Sequence, residues 1–174
     1  MTYLIFPAGP LDAEALAEVH VTSWRETYAG LLPEAFLARM SVAGNARRFA
    51  RALTFPAPLD VTLAAAEPGG LVGYACGGAS RQRREGEAEI HTLYLLRRVQ
   101  GAGLGKALLK ATARVLAANG ARSLMISVLR DNVKARGFYE SLGGIAEPAR
   151  REPGPGGVLY EVSYVWPDIT ALTK

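Results

Sequence analysis

The chain has 174 residues, 49% hydrophobic and 21% charged, with a formal net charge of +4. That length suits one domain, and the apolar content is sufficient for a packed core and too high for a disordered chain. The lone cysteine, Cys76, excludes an intramolecular disulfide and a cysteine metal cluster, and no run approaches the ~18 apolar residues of a membrane span.

The two histidines, His20 and His91, lie far apart in sequence and no carboxylate spacing supports them, so no metal site is expected. The opening MTYLIFPAGPLDAE lacks a basic region and breaks at Pro7 and Pro10, which does not read as a signal peptide. A soluble, cytoplasmic protein without a membrane partner is expected. The basic excess is mild and lacks interleaved aromatics, so nucleic acid is not expected as a partner. Arg81, Arg83, Arg84, Arg97, Arg98, Lys106 and Lys110 nevertheless gather around one glycine-rich segment, either as a solvated face or as a surface for an anion.

In chain order, TYLIF (2–6) reads as a short strand ended by proline. Asp12 is placed to cap a helix running DAEALAEVHVTSWRETYAG (12–30), with Leu16, Val19, Ser23 and Thr27 on one face and Gly30 as its stop. LLPEAFLARM and NARRFARAL read as two further helices, the first with Pro33 in its opening turn. VTLAAAE (61–67) and LVGYACGGAS (71–80) form a hairpin turning at 68–70, and RQRREGE (81–87) is a charged loop. Cys76, in an apolar strand, reads as an inert buried thiol. AEIHTLYLL (88–96) is the strongest strand, and alternation places Glu89, His91, Leu93 and Leu95 on one face against Ile90 and Tyr94.

The amphipathic KALLKATARVLAANG follows, closed by Asn119 and Gly120, and ARSLMISVL (121–129) reads as a buried strand. Asp131 caps a short helix over 132–144 that Gly143 ends, REPGPGG reads as a flexible turn, and VLYEVSYVW (158–166) is the last strand. The expected fold is α+β: a single domain over 1–174 with a mixed, mostly antiparallel central sheet, flanked by helices and crossed by one β–α–β unit.

The segment QGAGLGKALL (100–109) carries the chemistry. A dinucleotide loop, G-x-G-x-x-G, fails because Lys106 stands where the third glycine belongs. A triphosphate loop, G-x-x-x-x-G-K-[ST], fails because Gln100 replaces the first glycine and Ala107 the hydroxyl. What remains is a strand delivering the chain to a helix whose first amides lack partners, with Gly103 and Gly105 permitting close approach. The helix dipole favours a pyrophosphate there, although a turn that merely lets helix and strand pack fits the same residues.

The spacing Gln100-x-x-Gly103-x-Gly105 after LYLL, followed by Asn132-x-x-Ala135-x-x-Phe138-Tyr139 and Gly143, resembles the GNAT superfamily of acetyl-CoA-dependent N-acetyltransferases. WRETYAGLLPEAFL (24–37) is similar to that superfamily's opening helices, and the resemblance spans nearly the whole chain. It departs at Ala102, where a basic residue is common, at Arg97, where proline is common, and at Gly144, where an aromatic is common. The last departure implies a looser end to the site.

The resemblance implies acetyl-CoA as acyl donor, no metal, and direct attack by a primary amine in a ternary complex. It implies that Leu93, Tyr94 and Leu95 pair their main chain with the pantetheine arm. It further implies that Gln100, Gly101, Ala102, Gly103, Leu104, Gly105 and Lys106 wrap the pyrophosphate and that Asn132 bonds the pantetheine. From charge alone, not from the resemblance, Arg97 or Arg98 is placed against the cofactor's outer phosphates. Tyr139 matches the tyrosine aimed at the sulfur, where a phenol of ordinary pKa near ~10 protonates the leaving thiolate; as an alternative it anchors its helix.

Glu89 is similar in position to the base of histone-type members, the alternative being an ion pair with a nearby arginine. His91 is a second base or acceptor contact, the alternative being a neutral imidazole bonded within the sheet. His20, Trp24 and Tyr28 share a helix face, either as an aromatic wall for the amine or as the helix's buried side. A homodimer through the final strands and a catalytically silent CoA-binding sensor complete the expectations.

Overall fold

The computed structural model describes residues 3–82 and 84–174. Thr2, at the head of the expected first strand, and Arg83, among the gathered basic residues, lie outside the described residues. The chain runs β1 (Leu4–Pro7), α1 (Ala13–Tyr28), α2 (Glu34–Ala38), α3 (Val42–Thr54), β2 (Val61–Glu67), β3 (Gly70–Ala79) and β4 (Glu87–Leu95). It continues with α4 (Leu104–Ala118), β5 (Ser123–Leu129), α5 (Val133–Ser141), β6 (Ile145–Ala146), β7 (Arg150–Gly154) and β8 (Gly157–Trp166). Among the described residues no helix is long and apolar enough to cross a membrane.

The strands form one mixed sheet in the order β1-β2-β3-β4-β5-β8-β6, with β7 pairing along another stretch of β8. Every pairing is antiparallel except β4 with β5, because α4 connects those two strands as a crossover. On one face, α4 buries Leu109, Ala113 and Leu116 against Ile90, Leu124, Ile126, Tyr164 and Trp166. On the other, Leu16 and Val19 of α1 pack on Ala64 and Tyr74. Each fully buried aliphatic side chain of this kind contributes about 1.5–3 kcal/mol.

Three local expectations are corrected. REPGPGG is not a flexible turn: Arg150–Gly154 pairs with β8, from Arg150 opposite Glu161 to Gly154 opposite Gly157. Pro153 is tolerated because β7 bonds along β8 alone and its other edge needs no ladder donor. The cap of α5 is Asn132, whose Oδ1 accepts from the Ala135 amide at 3.2 Å, one residue beyond the expected Asp131. Asp12 precedes α1, but its carboxylate accepts from the Gly9 amide at 2.8 Å and closes the turn before the helix.

The fourth correction shapes the site. Cys76 pairs with Thr92 and Gly77 with Ile90, so His91 is the extra residue of a β-bulge. A bulge resets alternation, so the four residues expected on one face divide between two. Ile90, Leu93 and Leu95 lie on the α4 side, whereas Tyr94 packs against α1 with Leu16 and Val19. Glu89 faces away from Ile90, beside Arg81 and His91.

Candidate active site

Strands β4 and β5 are paired only from Glu87 opposite Ser123 to Ile90 opposite Ile126. Beyond that point they part, so Thr92 to Leu95 are paired to β3 alone, and the other edge of residues 91–95 borders a cleft of about 630 Å³. The cleft is walled by Ile126, Ser127 and Val128 opposite, by the glycine loop at one end, and by α5. A parted strand edge offers amides and carbonyls to an extended ligand as an added strand would.

The glycine loop is set for an anion. Gly101 and Gly103 have φ of +81° and +83°, a left-handed conformation that side-chain-bearing residues rarely adopt. They turn the chain so that Gly103 becomes the first cap of α4, which no side chain caps. The first helical bond runs from the Ala107 amide to the Gly103 carbonyl at 3.0 Å, leaving the Leu104, Gly105 and Lys106 amides ahead of it at the positive end of the helix. Gly105 differs: a Cβ there would lie 3.3 Å from Leu95 Cδ1 and 3.5 Å from Phe138 Cζ, so α4 runs close to the side chains of β4 and α5 at this point.

Gln100 binds this loop to its neighbours. Its Nε2 donates to the Leu95 carbonyl at 3.0 Å and its Oε1 accepts from Lys134 Nζ at 2.7 Å. Lys134 also lines the cleft, as do Lys106 and Arg97. The Arg97 amide donates to Glu26 Oε2 at 2.8 Å, joining α1 to the loop. Arg98 instead pairs with Glu67 and does not line the cleft. Sequence reasoning missed Lys134, whose one signal was its place two residues beyond the Asn132 cap.

Tyr139 lines the cleft from α5 and is 6% exposed. Its ring packs on Phe138, Tyr164 and Trp166, with centroids at 5.3, 5.6 and 6.4 Å. Burial, with nearby Tyr28 adding to it, pushes its hydroxyl pKa up, so the group holds its proton firmly. The looseness expected at Gly144 is absent. A Cβ there would meet Trp166 Cζ2 at 2.9 Å, because the indole fills that space and donates its Nε1–H to the Leu142 carbonyl at 2.9 Å.

Glu89 is 1% exposed and in an ion pair with Arg81. The Arg81 Nε donates to Oε1 at 2.8 Å and the Arg81 amide donates to Oε2 at 2.8 Å. Burial alone raises its pKa, but the neighbouring His91 and the Arg81 hydrogen bonds and charge outweigh it and bring the carboxyl to about 2. A carboxylate held that low is a weak proton acceptor, and the ion-pair alternative describes it best. His91 Nδ1 is 3.8 Å from Glu89 Oε1, beyond hydrogen-bond reach, and His91 lines the cleft where Glu89 does not.

The α1 aromatics are layered as expected, with His20 to Trp24 at 5.3 Å and Trp24 to Tyr28 at 4.9 Å between centroids. Tyr28 reaches the cleft, its hydroxyl 2.9 Å from that of Tyr94. Trp24 packs within the layer, against Tyr94 and Phe36. His20 Nδ1 is 2.6 Å from the Tyr74 hydroxyl, and burial first, then Arg48, lowers its pKa to about 4. Burial likewise raises the Cys76 thiol, to which Thr62 Oγ1 donates at 3.3 Å.

A parted parallel strand pair beside an uncapped, glycine-opened helix forms a cleft suited to an extended ligand that carries a pyrophosphate. Residues 16–144 match the family model described as acetyltransferase (GNAT) family, and the chain belongs to that family of acetyl-CoA-dependent N-acetyltransferases. It is 32% identical over 162 residues to the uncharacterized N-acetyltransferase YuaI of Bacillus subtilis, covering 92% of this chain and 91% of that one. Its fold is similar to that of the PaiA N-acetyltransferase of Thermoplasma acidophilum in complex with coenzyme A. That match has a TM-score of 0.70 at 22% identity, over 95% of this chain and 100% of the other. It is also similar to YncA of Salmonella typhimurium with its cofactor acetyl-CoA, with a TM-score of 0.70 at 18% identity over 95% and 92% of the two chains.

Proposed function

We propose that the chain transfers the acetyl group of acetyl-CoA to a primary amine by direct attack within a ternary complex. The observation that carries this reading is the unpaired β4 edge over 91–95, which shares one cleft with the loop that opens α4 and with Tyr139. The pyrophosphate sits on the loop from Gln100 through Gly101, Ala102, Gly103, Leu104 and Gly105 to Lys106. The pantetheine arm pairs with the main chain of Leu93, Tyr94 and Leu95, whose amides polarise the thioester carbonyl. Asn132 spends its Oδ1 on the helix cap, so it offers the arm its Nδ2 donors.

The amine nitrogen attacks the carbonyl carbon, the C–N bond forms and the C–S bond breaks. The departing thiolate takes the Tyr139 hydroxyl proton. One ammonium proton leaves before attack and a second after it, by way of His91 or water, and one of the two restores Tyr139. Glu89, low in pKa and bound to Arg81, acts as a fixed negative charge behind His91 rather than as the base. Tyr28 walls the cofactor cleft on the α1 side, with Trp24 packed behind it. The test is titration calorimetry with acetyl-CoA, followed by CoA release over a panel of amines. Binding with amine-dependent release is expected; absence of binding at millimolar acetyl-CoA defeats the proposal, and binding without release leaves a sensor.

A further inference from the structure

Behind the bulge, on the α1 side of the sheet, a second cavity of about 570 Å³ opens between α3, residues 56–60 and strands β2–β4. Its volume falls in the range of small-molecule sites. His91 and Thr92 are the two described residues that wall both this cavity and the cofactor cleft. A molecule held in the second cavity therefore abuts the strand segment against which the thioester is placed.

Two opposite charges stand at this cavity. Arg48, on α3, and Asp60, at the end of the segment before β2, are exposed side chains, and no ion pair involves either of them among the described residues. Asp60 Oδ2 accepts from the Ala57 amide at 3.0 Å, which fixes the carboxylate. Its Oδ1 lies 2.5 Å from the point where a Cβ on Gly78 would sit, and His91 Nε2 lies 3.4 Å from the same point. The missing side chain at Gly78 thus lets a carboxylate and an imidazole close on one spot beside β4. Across the cavity, His20 is neutral at physiological pH and adds no second positive charge to that of Arg48.

We propose that this second cavity is the acceptor subsite and that it takes a small zwitterionic amine, an α-amino acid or an analogue bearing a carboxylate near its amino group. The inference rests on the acetyl-transfer reading above. The amino group lies between Asp60 and His91, next to β4, and the carboxylate lies on Arg48. A dicationic polyamine meets repulsion at Arg48, and a monoamine without an acid leaves Arg48 without a partner. One positive and one negative anchor select for both charges together.

The experiment compares matched pairs, each an α-amino acid and the amine that lacks only its carboxylate, by CoA release in the full chain. The amino acids are expected to show at least about tenfold higher kcat/KM, as a charge-assisted contact implies. Arg48→Ala should cut kcat/KM for the amino acids about 10- to 100-fold and leave the carboxylate-free amines unchanged. Arg48→Lys should recover part of the loss, and acetyl-CoA affinity by calorimetry should not move in either variant. Equal or better use of the carboxylate-free amines, or an equal effect of Arg48→Ala on both sets, overturns the inference. So does acetyl-CoA binding with no release by any amino acid. A wild-type chain that fails to bind acetyl-CoA defeats the underlying transfer reading instead.

Discussion

Lys134 Nζ donates to Gln100 Oε1 at 2.7 Å, joining the first turn of α5 to the residue that opens the glycine loop. The same glutamine side chain holds the Leu95 carbonyl, so one amide fixes the end of β4, the loop and α5 together. Lys134→Ala removes a positive charge from the cleft and frees one end of Gln100. The expected result is a three- to tenfold weaker acetyl-CoA affinity, in keeping with the ~0.5–1.5 kcal/mol of a part-exposed polar contact. Calorimetry at two ionic strengths checks it, and the salt dependence should be shallower in the variant than in the wild type.

Gly103→Ala tests the loop geometry. Nothing lies within 4 Å of the added Cβ, so the only cost is the left-handed backbone at φ +83°. That cost is about 1–2 kcal/mol, which in a chain of this size lowers Tm by roughly 2–6 °C. The acetyl-CoA affinity should fall with it as the amides opening α4 turn away. Gly105→Ala is the control. Its φ is not left-handed and its Cβ meets only the movable ends of Leu95 and Phe138, so Tm should stay within about 2 °C of wild type.

Acid stability should fall in two stages. His20 sits at about 4 against an ordinary value of 6.5, so the unfolded chain binds the proton first. Stability present above pH 6.5 is lost as pH falls toward 4, on the order of 2 kcal/mol, and the loss then levels off. Glu89, at about 2 against an ordinary 4.5, adds stability that is present above pH 4.5 and lost as pH falls through 2. Denaturant titrations from pH 8 to 3 should show both legs. His20→Gln should remove the upper one, and a variant that keeps the upper leg would assign it to another group.

The core is expected to respond at Leu109, which is wholly buried under α4. Leu109→Ala deletes packing against Ile90 and Leu124's layer and should destabilise by about 2–5 kcal/mol. Chemical denaturation measures this, and a loss below about 1 kcal/mol would mean that the layer collapses onto the gap.

Local signals carried most of the fold. The run AEIHTLYLL, the glycine loop and the amphipathic α4 depend on near neighbours, so their type and order were legible in the sequence. The bulge at His91 was not, because it arises from pairing with Cys76 and Gly77 in a strand more than ten residues away. Strand β7 was masked by Pro153 and Gly154, whose breaker character an edge position tolerates. Tyr139, Asn132 and the glycine loop were singled out by the family resemblance, and all three border the cleft. Lys134 and the Arg48–Asp60 cavity were not, since they depend on which surfaces α3 and α5 turn toward the sheet. Glu89 shows the same limit: its residue type suits a base, and only the folded contact with Arg81 reveals an ion pair.

Tyr139→Phe separates the acid from the anchor. The ring would keep its packing on Phe138, Tyr164 and Trp166, so stability and acetyl-CoA affinity should stay near wild type. The proton would be missing from the α5 phenol that burial keeps protonated beside the cleft, so turnover should drop about 10²-fold, the scale of general acid catalysis. Single-turnover CoA release should drop by the same factor if the loss lies in the chemical step. An acyl donor with a more acidic thiol should narrow the gap, because a better leaving group needs the proton less. Unchanged turnover in Tyr139→Phe would leave Tyr139 only its anchoring role and pass protonation of the thiolate to water.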